Sequence, residues 1–231
     1  MKKQVVIIGL GRFGYSLAEA LFSMGHQVLA IDTDEKKVQN IAAHITHAVQ
    51  ADATDESVLR KLGVTNFDVA VVGIGSGIQH SVLCTILLKK LGVKYVIARA
   101  ENELHGSILE KIGADKVIYI EHEMAAKIAH QLNFPEAADY VSVAPSYGVA
   151  KLVGIPRFVG VSLGDLGFSQ RTKGGAVALL LRREKEVIVT PDPSEIVAHG
   201  DTLIVSGNDD EIERLLARPV VTRKEEKERK D

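Results

Sequence analysis

Apolar runs and helical spacings alternate along the first half of the chain. The segments "QVVIIG", "QVLAID", "FDVAVVG", "KYVIARA" and "KVIYI" are short, β-branched and almost continuously apolar, and "THAVQAD" is a weaker version of the same pattern. Such runs read as strands buried on both faces. Between them the apolar positions recur every three or four residues. This spacing predicts helices from about Arg12 to Met24, over "DEKKVQNIAAH", over "DESVLRKLG", from Ile78 to Leu91 and over "NELHGSILEKIG". Gly25, Gly63 and Gly92 supply the stops for three of them. Six strands alternating with helices predict an α/β fold, a Rossmann-type doubly wound parallel sheet.

After Ile120 the pattern changes. "EHEMAAKIAHQL" carries Met124, Ala125, Ile128, Ala129 and Leu132 at helical spacing, and Pro135 ends it. Beyond it come strand-like segments, "YVSVAPS", "GVAKLVG", "GAVALLLRREKEVIVTP" and "DTLIVSG", with "RREKE" as a hairpin tip and "DDEIERLLA" as a closing helix. The expected organisation is a nucleotide-binding domain over 1–134, including a connecting helix at about 121–132. A small C-terminal α+β domain follows over 135–218, and then a charged, frayed tail over 219–231.

Composition narrows the function classes. With 46% hydrophobic and 25% charged residues and a formal net charge of -2, the chain has no basic field that calls for nucleic acid. The single cysteine, Cys84, sits in the apolar run "SVLCTILL" and reads as core. Without a possible internal disulfide, a reducing, cytoplasmic setting is expected. The N-terminal apolar stretch breaks at Gly9, too early for a signal peptide or a membrane span.

The first strand runs into Gly9, Gly11 and Gly14, a G-x-G-x-x-G loop that opens a helix. The first glycine permits a tight turn, the second lets backbone approach a phosphate, and the third lets helix pack on strand. The helix amides then face an anion. Asp32 ends the second strand, where a carboxylate accepts both ribose hydroxyls and repels a 2′-phosphate. Arg12 stands at the helix start against the dipole, a position that a contact with a terminal phosphate would offset; Phe13 lies in the same loop and is counted with it. Asp52, Ala53 and Thr54 follow the third strand, and Gly73, Gly75 and Gly77 the fourth, at the carboxyl ends where open α/β sheets bind ligands. These glycines serve either packing or ribose and adenine contact. Arg99 ends the fifth strand, with a phosphate role and a surface role both open.

Chemistry is sparsely represented. Tyr147 and Lys151 have the spacing of a short-chain dehydrogenase pair, but Pro145 and Gly148 bracket a strand-like segment, whereas that pair needs a helix. No H-E-x-x-H, G-x-S-x-G or Walker lysine occurs. Catalysis is therefore poorly supported by the residues, and an NAD(H)-dependent oxidoreductase or redox sensor is kept as an alternative.

The segments "VIIGLGRFG", "GHQVLAID", "THAVQADAT", "VVGIGSGIQHSVL", "ARAEN", "LEKIGADKVIYIE" and "MAAKIA", with "GVSLGDLG" and "DPSEIVAHGDTLIVSG" further on, resemble the cytosolic gating subunits of Ktr/Trk-type potassium uptake systems, built from RCK domains. The resemblance implies a six-stranded Rossmann lobe, a crossover helix and a small C-terminal lobe. It implies homodimers assembling into an octameric ring at the inner face of the membrane, beneath a potassium channel subunit. It also implies regulation by ATP and ADP, or by NAD(H) in some relatives. By this likeness Gly9, Gly11, Gly14 and Asp32 hold the nucleotide, Arg12 senses phosphate, Arg99 is a basic position near the phosphates, and Glu121 binds a divalent cation, Mg²⁺ or Ca²⁺, with ATP. Asp52 stands where Ktr-type members commonly have asparagine. "FSQRTKGGAV", with Gln170 and Arg171, departs from the pattern of relatives that bind cyclic di-AMP, which leaves that ligand weakly supported.

Overall fold

The computed structural model describes residues 2–75, 77–133, 137–168 and 175–217. Pro135, the pair Gln170 and Arg171, and the charged tail lie outside them. The chain divides into two compact units, Met1–His122 and Glu123–Asp231.

In the first unit, β1 (Gln4–Ile8), β2 (Gln27–Asp32), β3 (His47–Gln50), β4 (Val69–Val72), β5 (Val96–Arg99) and β6 (Lys116–Ile118) form one sheet in the order β3-β2-β1-β4-β5-β6. All its strand pairs are parallel. The strand order reverses between β1 and β4, which opens a crevice beyond their carboxyl ends. The helices are α1 (Arg12–Ser23), α2 (Glu35–Ile41), α3 (Glu56–Lys61), α4 (Ile78–Leu91) and α5 (Glu103–Lys111). Alternation along β1 sorts the core into two layers. Val5 and Ile7 pack with Ala18, Val38 and Ile41 on one side, and Val6 and Ile8 pack with Leu59, Cys84, Leu88 and Leu109 on the other. This double burial explains why the strands read as unbroken apolar runs.

Local chemistry sets the helix boundaries. Asp34, Asp55 and Asn102 accept hydrogen bonds from Lys36 N, Ser57 N and His105 N at the starts of α2, α3 and α5. Gly92, at φ +87°, closes α4 by donating its N–H to Leu88 and Lys89 carbonyls, with Lys89 and Lys90 in the last turn complementing the dipole. The last helix to leave the sheet, α6 (Ile120–Asn133), runs from the first unit into the second. Its stripe Met124, Ile128 and Leu132 is exposed in the single chain.

The second unit is an antiparallel sheet of β7 (Ala137–Ala144), β8 (Tyr147–Val153), β9 (Val177–Arg183), β10 (Glu186–Val189) and β11 (Thr202–Asn208), in the order β10-β9-β11-β8-β7. One face of α7 (Asp209–Ala217), with Ile212, Leu215 and Leu216 buried, closes a core around Phe158 and Phe168, whose rings meet edge to face at 5.9 Å. Tyr147 and Lys151 lie on β8, paired with Asn208 and Ile204 of β11. Four residues along a strand separate their backbones by roughly 13 Å. The helical face that a dehydrogenase pair needs is therefore absent at these residues.

An ion pair around the buried Asp201 ties the strand ends of this unit together. Arg183 donates to both carboxylate oxygens of Asp201, at 3.1 and 2.8 Å, and also to Glu195 and the Ile196 carbonyl. Ala198 N adds a bond to Asp201 Oδ2 at 2.8 Å. Burial alone would raise the Asp201 carboxyl, but these donors outweigh it and hold the group below the ordinary carboxylate range. A carboxyl depressed in the folded state stabilises above its unfolded value, near pH 4, and loses that contribution as pH falls through the lower folded value. Asp201→Asn is therefore expected to cost about 2 kcal/mol in urea unfolding at pH 7. That gap should narrow as pH drops below about 4. A variant whose deficit stays constant down to about pH 2.5 would remove the charge pair from this account.

Candidate nucleotide-binding site

The crevice at the β1/β4 switch point holds a cavity of about 300 Å³, a size in the range of small-molecule pockets. One side of it is the glycine loop. Gly9 turns at φ +96° and is tied to β2 by Gly9 N donating to Ile31 O at 2.8 Å. An added Cβ at Gly14 would lie 1.9 Å from Gly9 O, so α1 presses directly on the turn. Gly11 is different. Its φ of -67° suits any residue, and an added Cβ would meet no protein atom within 4 Å. The chain's own packing therefore does not require glycine there. Gly11 is also the N-cap of α1 and offers no side-chain acceptor, which leaves the first helix amides facing the crevice.

Asp32 forms another side of the cavity. Its Oδ2 accepts from Leu10 N at 2.6 Å and its Oδ1 from Asp34 N at 2.9 Å, so the carboxylate is fixed between the glycine loop and the start of α2. Lys37 Nζ stands 3.5 Å from Oδ2. Each oxygen keeps a lone pair for a hydroxyl donor. At the other end of the cavity Asp52 Oδ1 accepts from Thr54 N at 2.8 Å and Thr54 Oγ1 at 2.7 Å. These two bonds hold the Asp52 carboxyl below its usual range, with His80 adding to the effect.

The structure gathers most of the expected residues and sets some apart. Gly9, Gly11, Asp32, Asp52, Ala53, Thr54 and Gly75 line the cavity. Gly14 and Phe13 support it from behind, and Phe13 packs on the core beside Gly73. Arg12 is exposed at the first position of α1. The Arg99 guanidinium lies on Gly75, where an added Cβ would come within 2.1 Å of Nη1, and it is ion-paired with Glu121 in the first turn of α6. Glu121 thus offers one exposed carboxylate, and no cluster of three metal-ligating side chains occurs among the described residues. A cation held there would need oxygens from elsewhere, such as phosphates.

Sequence reasoning missed Thr33, Lys37, Ile74 and His80, which also line the cavity. Cys84 is core, as its apolar run indicated, and it also reaches the cavity wall. Burial pushes its thiol up to about 12, which keeps it protonated. The spacing of His80 and Cys84, four apart on a helix that starts beside the crevice, was the available signal.

A Rossmann lobe with a glycine-loop crevice, followed by a small antiparallel α+β lobe, defines the class of protein. The TrkA-N domain model matches residues 5–120 and the TrkA-C domain model residues 156–218. The chain is 42% identical to Ktr system potassium uptake protein C of Bacillus subtilis over 96% of its length and 100% of the relative's. It is 39% identical to potassium uptake protein A of the same system and organism, over 92% and 95%. The GsuK RCK domain shares the fold, with a TM-score of 0.62 at 17% identity over 95% of this chain and 48% of that one. The GsuK channel bound to NAD superposes at 0.55 with 23% identity over 94% and 39%. The chain belongs to the TrkA-N/TrkA-C family that includes the Ktr potassium uptake proteins.

The two loop glycines separate room for a ligand from packing. Gly11→Asp, a favourable N-cap, is expected to leave urea stability within about 0.5 kcal/mol of wild type while lowering nucleotide affinity at least about tenfold by charge repulsion. Gly14→Ala should instead cost stability outright, about 1–3 kcal/mol, through the clash with Gly9 O. Equal losses of stability in both would show that Gly11 is a packing residue.

Proposed function

We propose that this chain is the nucleotide-sensing regulatory subunit of a Ktr/Trk-type potassium uptake system. The observation that carries the reading is the glycine-loop crevice with its fixed Asp32, in a chain matched along 96% of its length to a Ktr potassium uptake protein. ATP and ADP are the proposed ligands, with diphosphate at the α1 amides, ribose on Asp32 and the base toward Asp52, Ala53 and Thr54. NAD(H) is the second candidate, since a fold neighbour holds NAD. A divalent cation, Mg²⁺ or Ca²⁺, would join Glu121 to the ATP phosphates once Arg99 turns from Glu121 to phosphate.

The chain acts on this reading as a regulator and not as an enzyme. Its partner is a membrane potassium channel subunit, and it works at the inner face of the membrane. No helix among the described residues is long and apolar enough to cross a bilayer, which fits a subunit that meets the membrane through a partner. The exposed stripe of Met124, Ile128 and Leu132 on α6 supports homodimers, the units of the proposed octameric ring. Cyclic di-AMP in the second domain stays weakly supported, since Gln170 and Arg171, which depart from the pattern of relatives that bind it, lie outside the described residues. The oxidoreductase alternative loses its one candidate pair, since Tyr147 and Lys151 are spread along a strand.

Calorimetric titration with ATP, ADP, NAD⁺ and NADH, with and without Mg²⁺ or Ca²⁺, tests the proposal. Expected are adenine-nucleotide binding abolished by Asp32→Ala, and a cation effect confined to ATP and lost in Glu121→Gln. Arg12→Ala should retain ADP affinity and reduce the preference for ATP about tenfold. Failure of every nucleotide to bind the wild-type chain would overturn the sensing role. Binding of NADH alone, with no cation effect, would replace ATP by a redox ligand.

A further inference from the structure

The turn between β5 and α5 is closed by two reciprocal hydrogen bonds, and one of them depends on a titratable ring. Arg99 ends β5, and Asn102 is the N-cap of α5. Asn102 Oδ1 accepts from His105 N at 2.9 Å, and His105 Nδ1 accepts from Glu101 N at 3.2 Å. The arrangement is close to a capping box, in which the third helical residue is glutamate or glutamine and its side chain reaches back. Histidine at that place makes the returning acceptor an imidazole nitrogen. Because Nδ1 accepts, the ring proton sits on Nε2. His105 is 2% exposed, and its Nε2 is buried with no hydrogen-bond partner among the described residues.

A second proton on this ring would act against the turn in three ways. The imidazolium has no acceptor, so the bond from Glu101 N is lost. A positive charge in the first turn of a helix opposes the dipole. The charge would also be buried without a counter-ion in hydrogen-bonding contact. Burial accordingly pushes the imidazole below its ordinary value. The surrounding charges do not reverse this. α5 packs on α4 and β6. After β6, Tyr119 has its hydroxyl against Gly106, and Lys116 of β6 is exposed. On α4, Lys89 and Lys90 are paired with Asp115 and Glu56, the Cys84 thiol stays protonated, and His80 lines the cavity. Glu103, Glu110 and Lys111 lie on α5 itself, and Arg99 is paired with Glu121. Of these neighbours only Glu101 exerts a field on the ring; it favours the imidazolium and is outweighed by burial.

We propose that His105 is an acid-sensitive latch on the turn after Arg99, which holds the turn closed while neutral and releases it when protonated, so that acidification frees the Arg99 guanidinium from its seat on Gly75 and weakens the hold of the crevice on phosphate. The effect on phosphate rests on the nucleotide-sensing reading above; the latch itself does not. The sign follows from linkage. Below the ordinary histidine value, about 6.5, the released turn takes up a proton that the closed turn refuses, so falling pH favours release.

Hydrogen exchange of the full chain between about pH 7.5 and 5, corrected for the intrinsic pH dependence of exchange, tests the latch. Wild-type protection over residues 100–106 should fall at least about fivefold on acidification. The start of α3 is the internal standard. Its cap, Asp55, accepts from Ser57 N and is held below the usual carboxylate range, so it keeps its charge throughout. His105→Gln supplies an acceptor that does not titrate, and its turn should exchange alike at both ends of the range. Calorimetry with ATP gives the second arm, read as the ratio of wild type to His105→Gln affinity at each pH, so that the ligand's own titration cancels. That ratio should be about one at neutral pH and fall about three- to tenfold at about pH 5.

Protection over 100–106 that changes no more than at the start of α3 would overturn the latch, and this comparison needs only the wild-type chain should His105→Gln fail to fold by thermal melting. The same loss of protection in His105→Gln would also overturn it. Protection that falls as expected while the affinity ratio stays at about one would sever the latch from the crevice and overturn the coupling. If no nucleotide binds wild type at any pH, the sensing reading fails, and hydrogen exchange still decides the latch.

Discussion

The contact of Gly14 with the Gly9 carbonyl decides where everything else in the nucleotide lobe can be. A Cβ at Gly14 would lie 1.9 Å from that oxygen, so the first turn of α1 closes on the end of β1 without a side chain between them. This proximity aims the free amides of α1 across the crevice and brings Leu10 N within reach of Asp32 at the end of β2. Asp32 in turn fixes Asp34 N at the start of α2. The glycine loop, the Asp32 carboxylate and the second βα unit are therefore registered on one close approach of two backbones. A lengthening of that contact would loosen all three together.

A sensor must do more than bind. A ligand shifts an equilibrium only by the difference in its affinity for the two states. ATP and ADP, the proposed ligands, share base, ribose and two phosphates, so the proposed contacts at Asp32, Asp52 and the α1 amides would supply affinity and little discrimination. What differs is one phosphate, and the groups available to it are cations and the carboxylate that a metal would share: Arg12, Arg99 and Glu121. One charge-assisted contact is worth about 1.5–3 kcal/mol, whereas turning a 1:99 mixture into 99:1 takes about 5.5 kcal/mol. A single lobe falls short of a full switch, and assembly of several lobes with shared states is the physical way to close the gap. The stripe that α6 leaves exposed gives such an assembly a surface.

Most of the nucleotide lobe was legible because its signals are local. The run from Ile78 to Leu91 is bounded by glycines at both ends, and α4 occupies that span. The closing helix "DDEIERLLA" is α7, with the expected apolar side buried. The cavity was less legible. Gly9, Asp32 and Asp52 follow strands and announce themselves by position, but Lys37 and His80 reach the crevice from helices whose placement only the tertiary fold sets. Cys84 shows the same limit from the other side, since burial in the core and a place on the cavity wall are one environment that a hydrophobic run cannot distinguish. Nor does the sequence hint that Arg99 lies on Gly75 and pairs with Glu121, which depends on where β4 and β5 end and α6 begins.

That last arrangement explains why glycine stands at position 75. Any side chain there would displace the Arg99 guanidinium, which covers the backbone at the end of β4 and reaches Glu121. Arg99 is mostly buried, at 18% side-chain exposure, while Glu121 is at 69%. The arginine therefore carries the larger desolvation cost, and a second anion close to it recovers more than Glu121 alone provides. On the proposed reading, a phosphate over the glycine loop would supply that anion. Arg99 would then divide its donors, leaving the Glu121 carboxylate less fully paired in the first turn of α6, where the helix dipole favours a negative charge. On that reading, the charge in the crevice would be felt by this route at the start of the helix that leaves the sheet.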